Sequence, residues 1–204
     1  MGNVSLGRRV LLAGGAVLAA AAASFVGVPT SSAAPGDLPI SQNVTANTHL
    51  ASLNQDLTNT GTFTGVVNLG TGSLTGDLSL GATETELALV GLPLAKVGVQ
   101  VVPTGPTVGH IDFSTFAVTN HADFNIKIVY VKPLGLFNIV GKNCQTSSPV
   151  SLDMTGSIDP ATLTTTLAGE FEIPQFANCG LATIGLNLLV PGSGNTFSSV
   201  ATPA

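Results

Sequence analysis

From Gly61 onward the hydrophobic pattern repeats every two residues, the period of a strand with one face buried and the other wet. Over residues 62–69, Phe63, Val67 and Leu69 share one face while Thr62, Thr64 and Asn68 share the other. Gly70-Thr71-Gly72 supplies a turn, and Leu74, Leu78 and Leu80 repeat the alternation over residues 73–80, so the pattern predicts two hairpin-linked strands. Two more strands are expected over 84–90 and 94–102, divided by Gly91-Leu92-Pro93, with Val97, Val99 and Val101 alternating with Lys96, Gly98 and Gln100. After Pro103-Thr104-Gly105-Pro106 comes a long pair, 108–119 and 122–132, with its turn at Thr119-Asn120. In the second member Phe124, Ile126, Ile128 and Tyr130 line one face, opposite Asn125, Lys127, Val129 and Val131. That opposite face turns apolar towards its end, as in a strand covered on both sides or facing a ligand cavity.

Past Pro133 the pattern reads as a loop with a short apolar run over 134–140, leading to Cys144. The remaining apolar runs are 150–155, 162–173 and 181–190; Asp159-Pro160 marks the turn between the first two, and the last run suits a strand or a short helix. Upstream of the alternation, residues 35–59 are mixed. Leu50, Leu53 and Leu57 keep a helical spacing, giving either a short surface helix or an extended edge segment containing Val44 and Leu50. Eight to ten strands at this spacing predict an all-β fold, a single antiparallel β-sandwich or barrel. Its domain spans 61–204, preceded by an N-terminal extension or edge segment at 34–60. No helical stretch is long enough to connect parallel strands.

Residues 1–33 read as an export signal peptide, with Arg8 and Arg9 as the charged start, an apolar run over 10–28, and small residues at Ser31 and Ala33 before a cleavage point at Ala34. The pair Arg8-Arg9 also suits a twin-arginine signal, and an uncleaved anchor is the structural alternative. The expected destination is outside the cytoplasm, secreted or in the cell envelope, with no stable membrane anchor after cleavage. Beyond the signal, the cations are Lys96, Lys127, Lys132 and Lys142 against eleven carboxylates. Such a surface repels nucleic acid and anionic lipid. With so little charge, the exterior has to be built from Thr, Ser, Asn and Gly.

The only two cysteines, Cys144 and Cys179, come after an export signal, so one intramolecular disulfide is expected. Two cysteines without a CxxC do not supply the four ligands of structural zinc. Closing a loop of about 35 residues stabilises a fold by roughly 3 to 4 kcal/mol in the chain-entropy picture.

Leu69-Gly-Thr-Gly-Ser-Leu-Thr-Gly-Asp-Leu78, Pro103-Thr-Gly-Pro106, Cys144-Gln-Thr-Ser-Ser-Pro-Val-Ser-Leu152 and Asn178-Cys-Gly-Leu181 with Leu188-Leu-Val-Pro-Gly-Ser-Gly-Asn195 together carry a resemblance. The chain is similar, over most of its length after the signal, to an uncharacterised family of small secreted actinobacterial β-rich proteins. The resemblance implies export, a β-rich fold and paired cysteines, and it brings no catalytic residue.

The one polar grouping with a recognisable geometry is His110-Ile-Asp112 with His121-Ala-Asp123. Residues two apart on a strand share a face, so each pair directs an imidazole and a carboxylate to one place, and two such strands side by side offer four ligands to a divalent metal. The competing reading makes them hydrated strand ends beside a turn. No G-x-S-x-G elbow is present, Gly70-x-Gly72-x-x-x-Gly76 has the wrong spacing for a dinucleotide fingerprint, and the paired glutamates Glu84/Glu86 and Glu170/Glu172 lack the aromatic platforms of a glycosidase. The expectation is therefore a non-enzymatic protein without a cofactor, whose β-scaffold contacts a protein or envelope partner, host receptors included. The alternative is a carrier of a lipid or other apolar ligand in a barrel cavity formed by strands such as 124–131.

Overall fold

The computed structural model describes residues 36–89 and 92–204. The chain divides into two units, Met1–Ser32 and Ala33–Ala204. All the described residues belong to the second unit, and the expected signal peptide lies outside them. Among the described residues twelve strands run in the order β1 (Asp37–Leu50), β2 (Gln55–Asn68), β3 (Ser73–Leu80), β4 (Thr83–Leu89), β5 (Leu92–Pro103), β6 (Thr107–Asp112), β7 (Ala117–Pro133), β8 (Gln145–Thr146), β9 (Val150–Asp159), β10 (Thr164–Ile173), β11 (Phe176–Ala177) and β12 (Gly192–Pro203). A 3-10 turn at Gly180–Ala182 and a short helix, α1 (Thr183–Leu189), precede β12.

Eight of the strands close into an antiparallel barrel in the order β7-β6-β3-β2-β1-β12-β10-β9, the pairing of β9 with β7 sealing the ring. Closure removes the exposed edges that a sheet of this length would otherwise present. The two-residue alternation supplies the reason the ring has an inside. Val44 and Ala46 on β1, Phe63 and Val67 on β2, Leu152 and Met154 on β9, and Phe197 and Ala201 on β12 are all buried. Their neighbours Asn43, Thr45, Thr62, Thr64, Asp153, Ser198 and Thr202 are exposed. A polar exterior of Thr, Ser and Asn is the reverse of a lipid-facing barrel.

The strand β7 is long enough to serve two layers. Its first half, 117–124, lies between β6 and β9 in the ring. Its second half extends beyond the ring, where β5 pairs along one side and β4 pairs with β5. A β-bulge sits at Val129, since Val99 pairs with Ile128 but Gly98 pairs with Tyr130. The extra residue inverts the alternation. Tyr130 therefore points outward beneath Lys132, and Val131 turns into the core, correcting the expectation that Tyr130 shares the face of Ile128.

A cap closes this extended end. Cys144 and Cys179 are joined by the expected disulfide and both are fully buried. The bond fixes the β8–β11 pair beside α1, whose Leu186, with Val190 just beyond it, packs into the same cluster as Val97, Ile128 and Phe176. The Asn187 side chain accepts from the Phe176 N–H and donates to the Phe176 carbonyl, locking the helix to β11.

Other sequence expectations are corrected, or decided between the alternatives left open. Of the segment 34–60 expected as an extension or edge, the described residues 36–60 are neither: β1 and the start of β2 are staves, with β1 paired to β2 on one side and β12 on the other. The Leu50, Leu53, Leu57 spacing belongs to a strand–turn–strand, not a helix. The hairpin turn lies at residues 113–116, not Thr119-Asn120, which is mid-strand. The run 181–190 is mainly helical, and β12 is a strand that the apolar pattern does not announce.

Inward-facing glycines allow the staves to coil tightly enough for closure. A Cβ on Gly156 would lie 1.8 Å from the Thr166 carbonyl oxygen, and one on Gly65 would lie 2.4 Å from that of Thr75. No side chain fits at either position.

Candidate functional site: the open end of the barrel

The end opposite the cap is open. Two turns of one design shape its lip. In Asp112-Phe-Ser-Thr-Phe116 the Asp112 carboxylate accepts from the Ser114 N–H at 2.8 Å and from its hydroxyl at 2.6 Å, and the Phe116 N–H donates to the Asp112 carbonyl. In Asp159-Pro-Ala-Thr-Leu163 the Asp159 carboxylate accepts from the Ala161 N–H and the Thr162 hydroxyl, and the Leu163 N–H donates to the Asp159 carbonyl. The hydroxyl and N–H of Ser114 hold the Asp112 carboxyl down to about 2, and the Ala161 N–H holds that of Asp159 low as well. Each turn ends on a large apolar residue with a left-handed backbone, Phe116 at φ 58° and Leu163 at φ 57°. Such a conformation costs a bulky residue on the order of 1 kcal/mol, yet both side chains stand exposed at the opening.

Below the lip lies a cavity of about 540 Å³. Its wall is drawn from several staves: Ile40 and Val44, Phe63 and Val67, Leu74 and Leu78, Ile111, Ile158, and Ala201 are among the apolar contributors. Leu38, Leu69, Phe113, Phe116 and Leu163 carry that lining out to the rim, where all five are exposed. A ring of eight strands is just wide enough to be filled by side chains or to hold one small ligand. Here glycine, serine and alanine at inward positions such as Gly65, Gly109, Ser199 and Ala201 leave space where larger side chains would close it. The volume falls within the range of small-molecule sites. The floor is made by Leu78, Met154 and Phe197, which also bound a smaller void of about 100 Å³ on the capped side.

Among the described residues, no charged side chain lines the larger cavity. Its polar groups are hydroxyls and two amides. The Gln42 amide donates to the Thr165 hydroxyl at 3.2 Å. The Oδ1 of Asn120 is buried over Gly109 and has no hydrogen-bond partner among the described residues. Nothing in the local sequence marks Asn120 out, since its pattern there is that of a turn residue.

The sequence-derived metal candidates lie on the outer wall. The structure brings His121 and Asp123 together, at 3.3 Å, and adds Asp153 of β9, whose carboxylate is 2.7 Å from His121 Nδ1. Both ring nitrogens thus face carboxylates; the Asp153 contact, then that of Asp123, raises the His121 pKa. Asp123 is in turn held low, chiefly by the Ser151 hydroxyl and then by His121. Asp112 is committed to its turn, and His110 lies against Gly72, where a Cβ would be 3.0 Å from the ring Nε2. Among the described residues, no three His, Cys, Asp or Glu side chains are placed to hold a metal ion. His49 is exposed and bonds Asp56 at 2.7 Å.

The capped end carries a different surface. Leu181, Ile184 and Leu188 form an exposed stripe on the 3-10 turn and α1, and Leu134, Leu136 and Phe137 are exposed in the loop after β7. The lysines of the described residues lie on β5, the distal half of β7 and this loop. Comparison with family models, with curated proteins and with solved structures gives no match for this chain.

Proposed function

We propose that the protein is an exported, non-enzymatic carrier that holds one apolar molecule in the open end of its barrel. The observation that supports this most is an apolar cavity of about 540 Å³ continuous with an exposed apolar rim. Emptying such a wall of water is favourable by about 25 cal/mol per Å² of apolar surface covered. The turns point the same way, because their left-handed closing positions are filled by Phe116 and Leu163 in place of glycine, which sets large apolar groups at the opening. A buried disulfide accords with an oxidising compartment outside the cytoplasm. The reading is tested by native mass spectrometry of protein recovered from the producing organism. An added mass released on denaturation and extracted into organic solvent is expected; a bare polypeptide that also takes up no apolar probe from solution overturns it.

A second reading, contact with an envelope partner, has its own support in the six exposed apolar residues of the cap. Isolated exposed leucines are ordinary, but a stripe along one helical face, such as Leu181, Ile184 and Leu188, suits an interaction surface. If this holds, the wild-type protein sediments with the envelope fraction of producing cells, and a variant with Leu181→Ser, Ile184→Ser and Leu188→Ser shifts to the supernatant. Equal partitioning of the two excludes it.

A further inference from the structure

We infer that the cavity selects uncharged lipids bearing a hydroxyl group, and that the Asn120 amide is the group that recognises it. The inference rests on the carrier reading above and narrows its ligand class. An ionised carboxylate or phosphate taken from water into an apolar space costs several kcal/mol unless a cation or several donors receive it. Among the described residues, neither Lys, Arg nor His lines this cavity. The lysines Lys96, Lys127, Lys132 and Lys142 belong to the capped half or its outer wall. At the rim the nearest charges carry the wrong sign for an anion: Asp37 accepts from the Asn68 amide, and Asp112 and Asp159 are already engaged with their own turns.

A cation is excluded by the same wall, because those carboxylates are occupied and no other acidic side chain among the described residues lines the space. A pure hydrocarbon would fit the lining but would leave an amide unanswered. Buried side-chain amides are normally hydrogen-bonded. Gln42 meets that requirement within the protein through Thr165, whereas the Asn120 oxygen does not. Asn120 stands mid-strand on β7, opposite Gly109 of β6, and its amide oxygen occupies the space a side chain at Gly109 would need. A neutral lipid seated with its chain against Ile40, Val67, Leu74 and Ile111 places a hydroxyl within the reach of the amide. A hydroxyl serves because the unanswered group is the amide oxygen, which needs a donor.

The test measures binding by equilibrium gel filtration with radiolabelled probes of one chain length: a primary alcohol, a monoacylglycerol, the free fatty acid and the alkane. At pH 8 the alcohol and the monoacylglycerol are expected to bind at least about tenfold more tightly than the acid. Acid binding should strengthen as pH falls and its carboxyl becomes neutral. Asn120→Leu should weaken the alcohol about fivefold, the worth of one neutral hydrogen bond, while leaving the alkane unchanged. A loss shared by alkane and alcohol would make Asn120 merely structural and overturn its role, provided the variant melts like the wild type. Asn120→Gln, which keeps an amide, provides the check if the leucine variant does not fold. If the acid binds at pH 8 as well as the alcohol, the neutral-lipid inference fails while the carrier reading survives. If no probe binds, the carrier reading itself fails.

Discussion

Removing the disulfide tests how the barrel is closed at its capped end. The bond spans Cys144 to Cys179, a loop of 35 residues that contains the two staves β9 and β10. Applying the loop-entropy expression to about 35 residues gives roughly 3.8 kcal/mol at 25 °C. For a body of about 170 residues, an unfolding entropy near 2.1 cal/mol/K per residue converts this to a fall in Tm of about 10 °C. Both sulfurs are inaccessible in the fold, so the comparison is made by reducing the unfolded protein and refolding it with the thiols kept reduced, alongside Cys144→Ala/Cys179→Ala. Urea titrations should show a lower midpoint and a steeper slope, because an unlinked chain exposes more surface when unfolded. Ligand uptake at the open end should survive well below the melting point, since the cap and the mouth are opposite ends of the barrel. A stability change under about 1 kcal/mol, or a loss of uptake in protein that is still folded, would refute the reasoning.

Other expectations concern single residues. Asn195 is almost fully buried and joins three segments: its Oδ1 accepts from the Ala51 N–H, and its Nδ2 donates to the carbonyls of Phe171 and Gly192. Asn195→Leu, measured by urea titration, should cost about 2 to 4 kcal/mol, since it strands those backbone groups. Gly156→Val should cost at least about 2 kcal/mol or prevent closure, because the Thr166 carbonyl occupies the place of a Cβ; wild-type stability in that variant would contradict the packing. Two of the sites that shape the pH profile of Tm have opposite signs. The raised pKa of His121 means that its contacts with Asp153 and Asp123 stabilise the fold fully below its ordinary value near 6.5 and are lost as pH rises through the raised value; His121→Asn should abolish that slope. The lowered pKa of Asp112, about 2, means the opposite: its contribution is present above the ordinary carboxylate range and lost as pH falls towards 2, so Asp112→Asn should flatten the acid limb.

The strands that were legible were those whose buried face is made of large apolar residues. Phe63 and Val67, Leu74 and Leu78, and Leu152 and Met154 announce an inward side on their own. β12 was not legible because its inward positions include Asn195, Ser199 and Ala201, which are buried by neighbours rather than by their own hydrophobicity. The turn at 113–116 was missed because its form is set by hydrogen bonds to Asp112, while the left-handed position is occupied by Phe116 instead of the glycine or asparagine that turn preferences favour. The inversion at Tyr130 comes from one bulged residue, a property of pairing with β5 and not of β7 alone. Barrel closure depends on the pairings β1–β12 and β7–β9, which join segments remote in sequence. The cavity is harder still, since its volume is the difference between the width of the ring and the side chains that fill it. The alternative reading places an apolar ligand against strands such as 124–131; Phe124, Ile126 and Ile128 bound the smaller void near the cap.

The open end, and not the capped end, is expected to receive an uncharged apolar ligand. Methyl-labelled protein titrated with a long-chain primary alcohol tests it directly by nuclear magnetic resonance. Saturable shifts at Ile40, Val67, Leu74, Ile111 and Leu163, with Val97, Leu186 and Val190 unmoved, are the expected result. Shifts confined to the cap, or none at any methyl up to the solubility of the alcohol, would contradict it.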